Sequence, residues 1–237
     1  TMQNQHKIPQ VYLKEFGYQT DGGHWKISTL ETSKFELMRS LDKLFFSQKS
    51  IESVTAEYDI YNLDGDPEFE SHFELMNGQL ETFYPQIISD LRKEGQLSPI
   101  SEGVLVQIVP NLICRSAFFR EFVEECLFSE LRETFLKAAT IFHSDKGAKF
   151  INILDKSPVK HQINLTCMIM MEHIMEKLAF FNYVVISEYD GRGWLTSDHS
   201  ITLEDSLTFD SLFSINTEIY FPLSRDFCVF FYHPNSA

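Results

Sequence analysis

Between residues 68 and 182 apolar side chains recur every three or four positions, and on either side of that stretch they alternate with polar ones. The first spacing lines one face of a helix and the second lines one face of a strand. A chain that does both in separate blocks is expected to be α+β, with a helical middle packed on an antiparallel sheet built from N- and C-terminal strands. Its 237 residues, 43% of them hydrophobic, suffice to bury a full core, and residues 5–233 read as a single domain. Thr1 ahead of Met2 reads as a remnant of tag removal, so residues 1–4 are set aside as a tail.

The helical block carries its own punctuation. Phe69, Phe73, Met76, Leu80, Phe83 and Ile87 form one stripe, with Pro85 expected to kink or divide the helix and Gly95 to end it. Ser98-Pro99 opens a second helical stretch reaching about residue 142, with Pro110 as a further kink. Pro158 starts a third, whose stripe is Ile163, Cys167, Met170, Ile174, Leu178 and Phe181. Ahead of the block, residues 9–16 read as a short helix with Pro9 at its first position and Gly17 just past its end. After a turn at Asp21-Gly22-Gly23, HWKIST reads as a strand; TAEYDIYNL is a second, followed by the breaker Asp64-Gly65-Asp66-Pro67. Residues 35–50 read as loop and short helix, and Lys146-Gly147 as a loop. Behind the block, NYVVISEY and WLTS read as a hairpin turning at Asp190-Gly191-Arg192-Gly193, and TEIYFPLS and FCVFFYH as closing strands.

Charge excludes some functions. A net charge of −14, with no Lys/Arg run longer than two, repels phosphate backbones and anionic lipids. It argues against non-specific nucleic-acid binding and suits a basic protein partner. No apolar run is long enough to span a bilayer. Cys114, Cys126, Cys167 and Cys228 form no CxxC pair and read as buried reduced thiols of a cytoplasmic protein. His173 and Glu176 lie one helical turn apart, but no second helix offers a matching pair, so no metal is expected. There is no glycine-rich phosphate loop, and no cofactor is expected.

Three places could carry chemistry. In QHKIPQVYLKEF, residue Ile8 would stand at the N-cap and cannot accept from the first backbone N–H groups, so His6 and Gln10 flank a donor-rich corner in need of an acceptor. In NLICRSAFFREF, a continuous helix puts Arg115 about 20° from Ile108 and about 60° from Leu112. A charge inside an apolar stripe requires a carboxylate or an anionic ligand. Arg120, about 140° away on the same helix, is expected on a different surface. In GWLTSDHSITL, Ser197 and Asp198 follow a strand, either as an ordinary polar turn or with Asp198 as the acceptor that the helix end, His6 or Arg115 requires. Two functions follow. In one, these residues converge on a pocket: Gln10, Arg115 and Ser197 hold a phosphate-containing or nucleotide-like anion, and His6 or Asp198 acts as general base, with hydrolysis as the natural chemistry. In the other, they form a structural lock in a non-enzymatic interaction module.

QHKIPQVYLKEF, AEYDIYNL, ICRSAFFREF, WLTSDHSIT and IYFPLSRD, in that order, resemble a bacterial domain-of-unknown-function family, number 4238, over about residues 5 to 230. That family opens with His, a Pro-Gln pair, Tyr-Leu and Phe, and has an Arg-rich middle helix. A Thr-Ser-Asp-x-Pro turn and a Pro-Leu-Ser strand follow. The resemblance implies a polar signature at His6, Gln10, Arg115, Ser197 and Asp198, and no established activity. Here His199-Ser200 stands where the family has a residue and a proline, which loosens that turn. The chain also stops soon after the last strand, where members often continue into another helical stretch, so it is read as a short member or a trimmed one.

Overall fold

The computed structural model describes residues 4–34, 46–54, 56–58, 60–61, 72–130, 132–134, 137, 154–204 and 216–236. Most of the ambiguous stretch 35–50, the Asp64–Pro67 breaker, Phe69, the Lys146-Gly147 loop and the proposed helix end near 142 lie outside the described residues.

Short polar residues and prolines start the helices of the middle block. Helix α2 spans His72–Glu94 and runs through Pro85 without dividing. Helix α3, Pro99–Arg115, begins as expected, with Ser98 at its N-cap accepting from Ser101 N at 3.3 Å and Pro99 in the first turn. It also runs through Pro110. The chain breaks instead at Ser116, whose extended backbone ends α3 and whose Oγ accepts from Phe119 N at 3.2 Å to start α4, Ala117–Phe128. Helix α5, Val159–Leu178, buries its expected stripe from Ile163 to Leu178, and Phe181 is buried just past its end. In α2 the buried face turns slightly from the expected one: Phe73 and Ile87 are buried, but Tyr84 enters the core and Phe83 is exposed. Helix α3 packs on both α2 and α5, and α4 packs on α3 and α5.

The chain is α+β and its sheets are antiparallel, but among the described residues strands from the two ends do not share a sheet. β1 (Asn4–His6) pairs with β5 (Ala56–Tyr58), His6 opposite Ala56. β2 (Tyr18–Gln19), β3 (Trp25–Thr29) and β4 (Ser47–Ser50) form a second sheet. β4 lies at the end of the stretch expected to be loop and short helix; its SQKS sequence is a polar edge strand and shows no alternation. The third sheet has the order β6-β9-β8-β7, from Asn182–Ser187, Phe227–Tyr232, Glu218–Pro222 and Thr202–Glu204. β6 takes β9 as its partner, so the expected hairpin onto WLTS does not form. Instead Glu188 Oε1 accepts from the N–H groups of Asp190 and Arg192, and Trp194 N donates to Arg225 O, which ties residues 188–194 to the β8–β9 turn.

Helix α1, Gln10–Lys14, sits between the sheets and the helices. It is shorter than expected, with Pro9 outside it at the N-cap position. Tyr12 is fully buried and stacks on Phe221 of β8 at 5.7 Å and edge-on to Tyr84 of α2 at 5.7 Å. The Tyr84 hydroxyl donates to Leu223 O at 2.5 Å. One continuous apolar cluster therefore runs from Ile8 through the helices to Phe231.

Two features of this frame generate measurable consequences. Gly17 does not have a positive φ; it is required because β3 passes close by. A Cβ there would lie 2.6 Å from Lys26 O and 2.8 Å from Ile51 Cδ1. Gly17→Ala is expected to cost on the order of 1–3 kcal/mol by overpacking, read as a lower Tm in calorimetry. The second feature is Asp90 on α2. Its Oδ2 accepts from Ser101 Oγ at 2.5 Å, Ser98 Oγ at 2.6 Å and Ser98 N at 3.2 Å. The hydroxyls of Ser101 and Ser98 hold its carboxyl down at about 2, against an ordinary 3.8. A depressed carboxylate stabilises the fold above its ordinary range and loses that effect as pH falls through the folded value. Asp90→Asn should therefore lower Tm by several degrees at pH 7, with the gap to wild type closing between about pH 4 and pH 2.

Candidate functional site

Arg115 is the largest fully buried side chain among the described residues, at 2% exposure. It ends α3 and is clasped from two directions. Nη1 donates to Glu81 Oε1 of α2 at 2.8 Å, and Nη2 donates to the backbone carbonyl of His6 in β1. Its guanidinium also lies 5.6 Å from the centre of the Tyr61 ring. Burial works against its charge, but Tyr61 and Glu81 more than offset it, so the guanidinium is held charged. The apolar-stripe position read from the sequence is correct, and the carboxylate it demands is Glu81.

Arg120 reaches the same place. On an unbroken helix it would face elsewhere, but the break at Ser116 resets the helical phase, and its guanidinium also lies 5.6 Å from the Tyr61 ring centre. Its Nη2 donates to Asn164 Oδ1 of α5 at 2.8 Å, and Asn164 Nδ2 donates to Ile60 O at 3.1 Å. Tyr61 is thus contacted by two arginines, stacks on Phe73 at 4.9 Å, and has its N–H bound by Gln5 Oε1 at 2.8 Å.

Helix α2 supplies the opposite wall. Glu74, Asn77 and Glu81 are three and four residues apart and so share one face. Asn77 accepts from Asn111 Nδ2 of α3 at 2.7 Å, one turn before Arg115. Burial pushes the Glu74 carboxyl up; the neighbouring Glu81 adds to this, while Arg115, Asn77 and His6 oppose it. Along this seam the buried polar groups answer one another, the Tyr61 hydroxyl with Arg115 and the Glu74 carboxyl with Asn77, while Arg120 Nη1 is buried without a hydrogen-bond partner among the described residues. Buried polar atoms are nearly always paired, which makes Arg120 Nη1 the exception in this seam.

The other expected residues divide into two groups. The His6 ring places Nε2 3.0 Å from Glu52 O and 3.2 Å from Gln10 Nε2. As an N–H it donates to the carbonyl; bare, it accepts from the amide. His6, Gln10 and Arg115 therefore do come together. Ser197 and Asp198 lie exposed on the loop after β6. Ser197 Oγ donates to His199 O at 2.7 Å and accepts from His199 N at 3.1 Å, an ordinary polar turn. Asp198 is not the acceptor for Arg115, because Glu81 occupies that role. The loop reaches the N-terminal helix through Thr196, whose Oγ1 is 2.5 Å from Tyr12 Oη. His199 packs edge-on to Phe118, beside a small cleft of about 60 Å³ lined chiefly by Leu112, Phe119, Ile201 and Leu203. No helix in the described residues is long and apolar enough to cross a membrane.

A family model described as a protein of unknown function, DUF4238, matches residues 4–237. The chain belongs to the DUF4238 family. No curated protein and no solved structure matches it. In this DUF4238 chain the sequence pointed to Arg115 and His6 but missed Tyr61, Glu74, Asn77, Glu81 and Arg120. Two signals were present. Glu74, Asn77 and Glu81 interrupt the α2 stripe at helical spacing, and Ser116 is a good N-cap residue in the middle of an apparent helix.

The clasp on Arg115 sets an expectation. Arg115→Ala leaves Glu81 and the His6 carbonyl without their donor and should cost about 3 kcal/mol, the low end for a broken buried pair because Glu81 is 31% exposed. In a chain of this length that lowers Tm by roughly 6–12 °C. Arg115→Lys should recover only part of the loss, since one ammonium cannot hold both acceptors and lie against the Tyr61 ring. A lysine variant as stable as wild type in calorimetry would contradict the clasp.

Proposed function

We propose that this DUF4238 chain binds a small anionic group in the polar seam between α2, α3, α4 and Tyr61. The observation that carries the reading is the convergence of two guanidiniums, Arg115 and Arg120, on the Tyr61 ring, with Arg120 Nη1 buried and without a hydrogen-bond partner among the described residues. Both are cationic groups that only donate, and that composition favours an acceptor-rich ligand. A phosphate, alone or as part of a nucleotide, meets the requirement. Binding is favoured ahead of hydrolysis. The His6 ring is engaged by Glu52 O and Gln10, and Ser197 and Asp198 have no contact with Arg115 among the described residues.

A second reading has its own support. Arg115 has both Nη atoms engaged inside the fold, as a structural lock requires. In that reading the acidic surface, at −14, receives a basic protein partner and the seam holds only water.

Thermal shift in the presence of inorganic phosphate, sulfate and nucleotides separates the two. A ligand at about 100 times its Kd should raise Tm by several degrees. Arg120→Gln should keep the fold, since it retains a hydrogen-bonding side chain near Asn164, and should abolish the shift. No shift with any of these anions, together with an unchanged Arg120→Gln melting curve, would leave the lock.

A further inference from the structure

We propose that β6 is the docking edge for a second copy of this chain, which pairs with it antiparallel and extends the third sheet across a two-fold axis. The inference is independent of the anion reading and starts from how sheet edges are protected. A strand at the rim of a sheet presents unpaired backbone groups, and proteins blunt such rims with short strands, charges, prolines or bulges. Among the described residues every other rim strand is blunted in this way. β2 has two residues and β1 three. β5 carries Glu57, β4 carries Lys49, and β7, three residues long, carries Glu204. β6 is different. Its sequence NYVVIS has six residues with no charge, no proline and no glycine, and its register with β9 runs unbroken from Asn182 to Ser187. Among the described residues it pairs with β9 and with no other strand.

The backbone of β6 faces two ways. Glu188 N donates to Asp226 O, its opposite number at the next step of the β6–β9 ladder. Bonded residues alternate in an antiparallel ladder, so Asn182, Val184 and Ile186 bond to β9 while Tyr183, Val185 and Ser187 turn N–H and C=O to the rim. The side chains beside that rim are apolar. Val184 is 41% and Ile186 36% exposed, and Phe180 just ahead of the strand is 69% exposed. On the same face Val184 stands opposite Phe230, whose ring stacks on Tyr220 at 4.8 Å and on Tyr232 at 5.6 Å. A two-fold axis normal to the sheet and through the middle of β6 keeps Val184 and Ile186 of both copies on that face, where they join one apolar strip.

Charge selects the occupant. A basic strand gains nothing at β6, which has no carboxylate. A second copy brings a net charge of −14 and is repelled from an acidic surface, but an uncharged strand does not repel its own copy. Antiparallel pairing also keeps the flanking acids apart. Glu188 follows the C-terminal end of the strand, so the two copies hold it at opposite ends of the joint, about 20 Å apart and well beyond the Debye length of about 8 Å. Growth stops at two copies, because the rims then left free are the short β7 strands with Glu204.

Sedimentation equilibrium and residue-resolved amide exchange of the full chain test this. Wild type should rise from the mass of one chain, 27.6 kDa, to that of two between about 1 and about 200 µM, as suits a small interface. Over the same range the amides of Tyr183, Val185 and Ser187 should exchange more slowly, and those of Val184 and Ile186, already bonded to β9, should change far less. Val184→Lys should keep the wild-type circular dichroism and stay monomeric at the highest concentration. Val184→Thr, uncharged and β-branched, should associate like wild type. A wild type that is monomeric throughout, assembly beyond two copies, association that survives in Val184→Lys, or association without slowing at Tyr183, Val185 and Ser187 overturns the proposal. If Val184→Lys does not fold, the wild-type amide pattern decides alone.

Discussion

A guanidinium charge removed from water has to be answered on several sides, and the fold is arranged around answering Arg115. The Coulombic partner comes from α2, the backbone acceptor from β1, and the aromatic face from Tyr61 just after β5. These three elements come from separate parts of the chain. A buried ion pair is a weak source of net stability compared with apolar packing, but it is demanding about position. Arg115 therefore acts mainly as a positional device. It requires the two-stranded β1–β5 sheet to sit against the end of α3, and that sheet is too small to be stable by itself.

Around this centre the polar groups are graded in how well they are satisfied. Asp90 has every neighbour it needs, from the serines at the start of α3 and from Gln86. Its site is closed and serves helix capping. The seam at Tyr61, Glu74, Asn77, Arg115 and Arg120 is less completely satisfied, with Arg120 Nη1 buried and without a hydrogen-bond partner among the described residues. Natural proteins tend to leave such groups unpaired where a ligand or ordered water completes them. The contrast between two polar clusters that share helix α2 is the main physical reason to look to the seam for function.

Much of this was legible in the sequence because periodicity survives burial. The helices, the closing strands and the α+β class follow from spacing, and Arg115 stood out as a charge in an apolar stripe. What was illegible depends on register and partner choice. Three residues of β1 contain no period, and SQKS in β4 looks like a loop because both faces are polar. β6 could have turned back on WLTS; that it takes β9 instead is a long-range preference with no local trace. Arg120 was misplaced because Ser116 was read as an ordinary helix residue, and a single break changes the direction of everything after it.

That break also decouples the two arginines. Within one continuous helix, a single inserted residue would swing every later side chain by about 100°. With Ser116 ending one helix and capping the next, an insertion early in α3 would turn Arg115 away from Glu81, while α4 would restart from its own cap and carry Arg120 in its own phase. The half of the seam that pairs with Glu81 and the half that pairs with Asn164 are therefore separately exposed to insertion and deletion. One can drift in sequence while the other is kept.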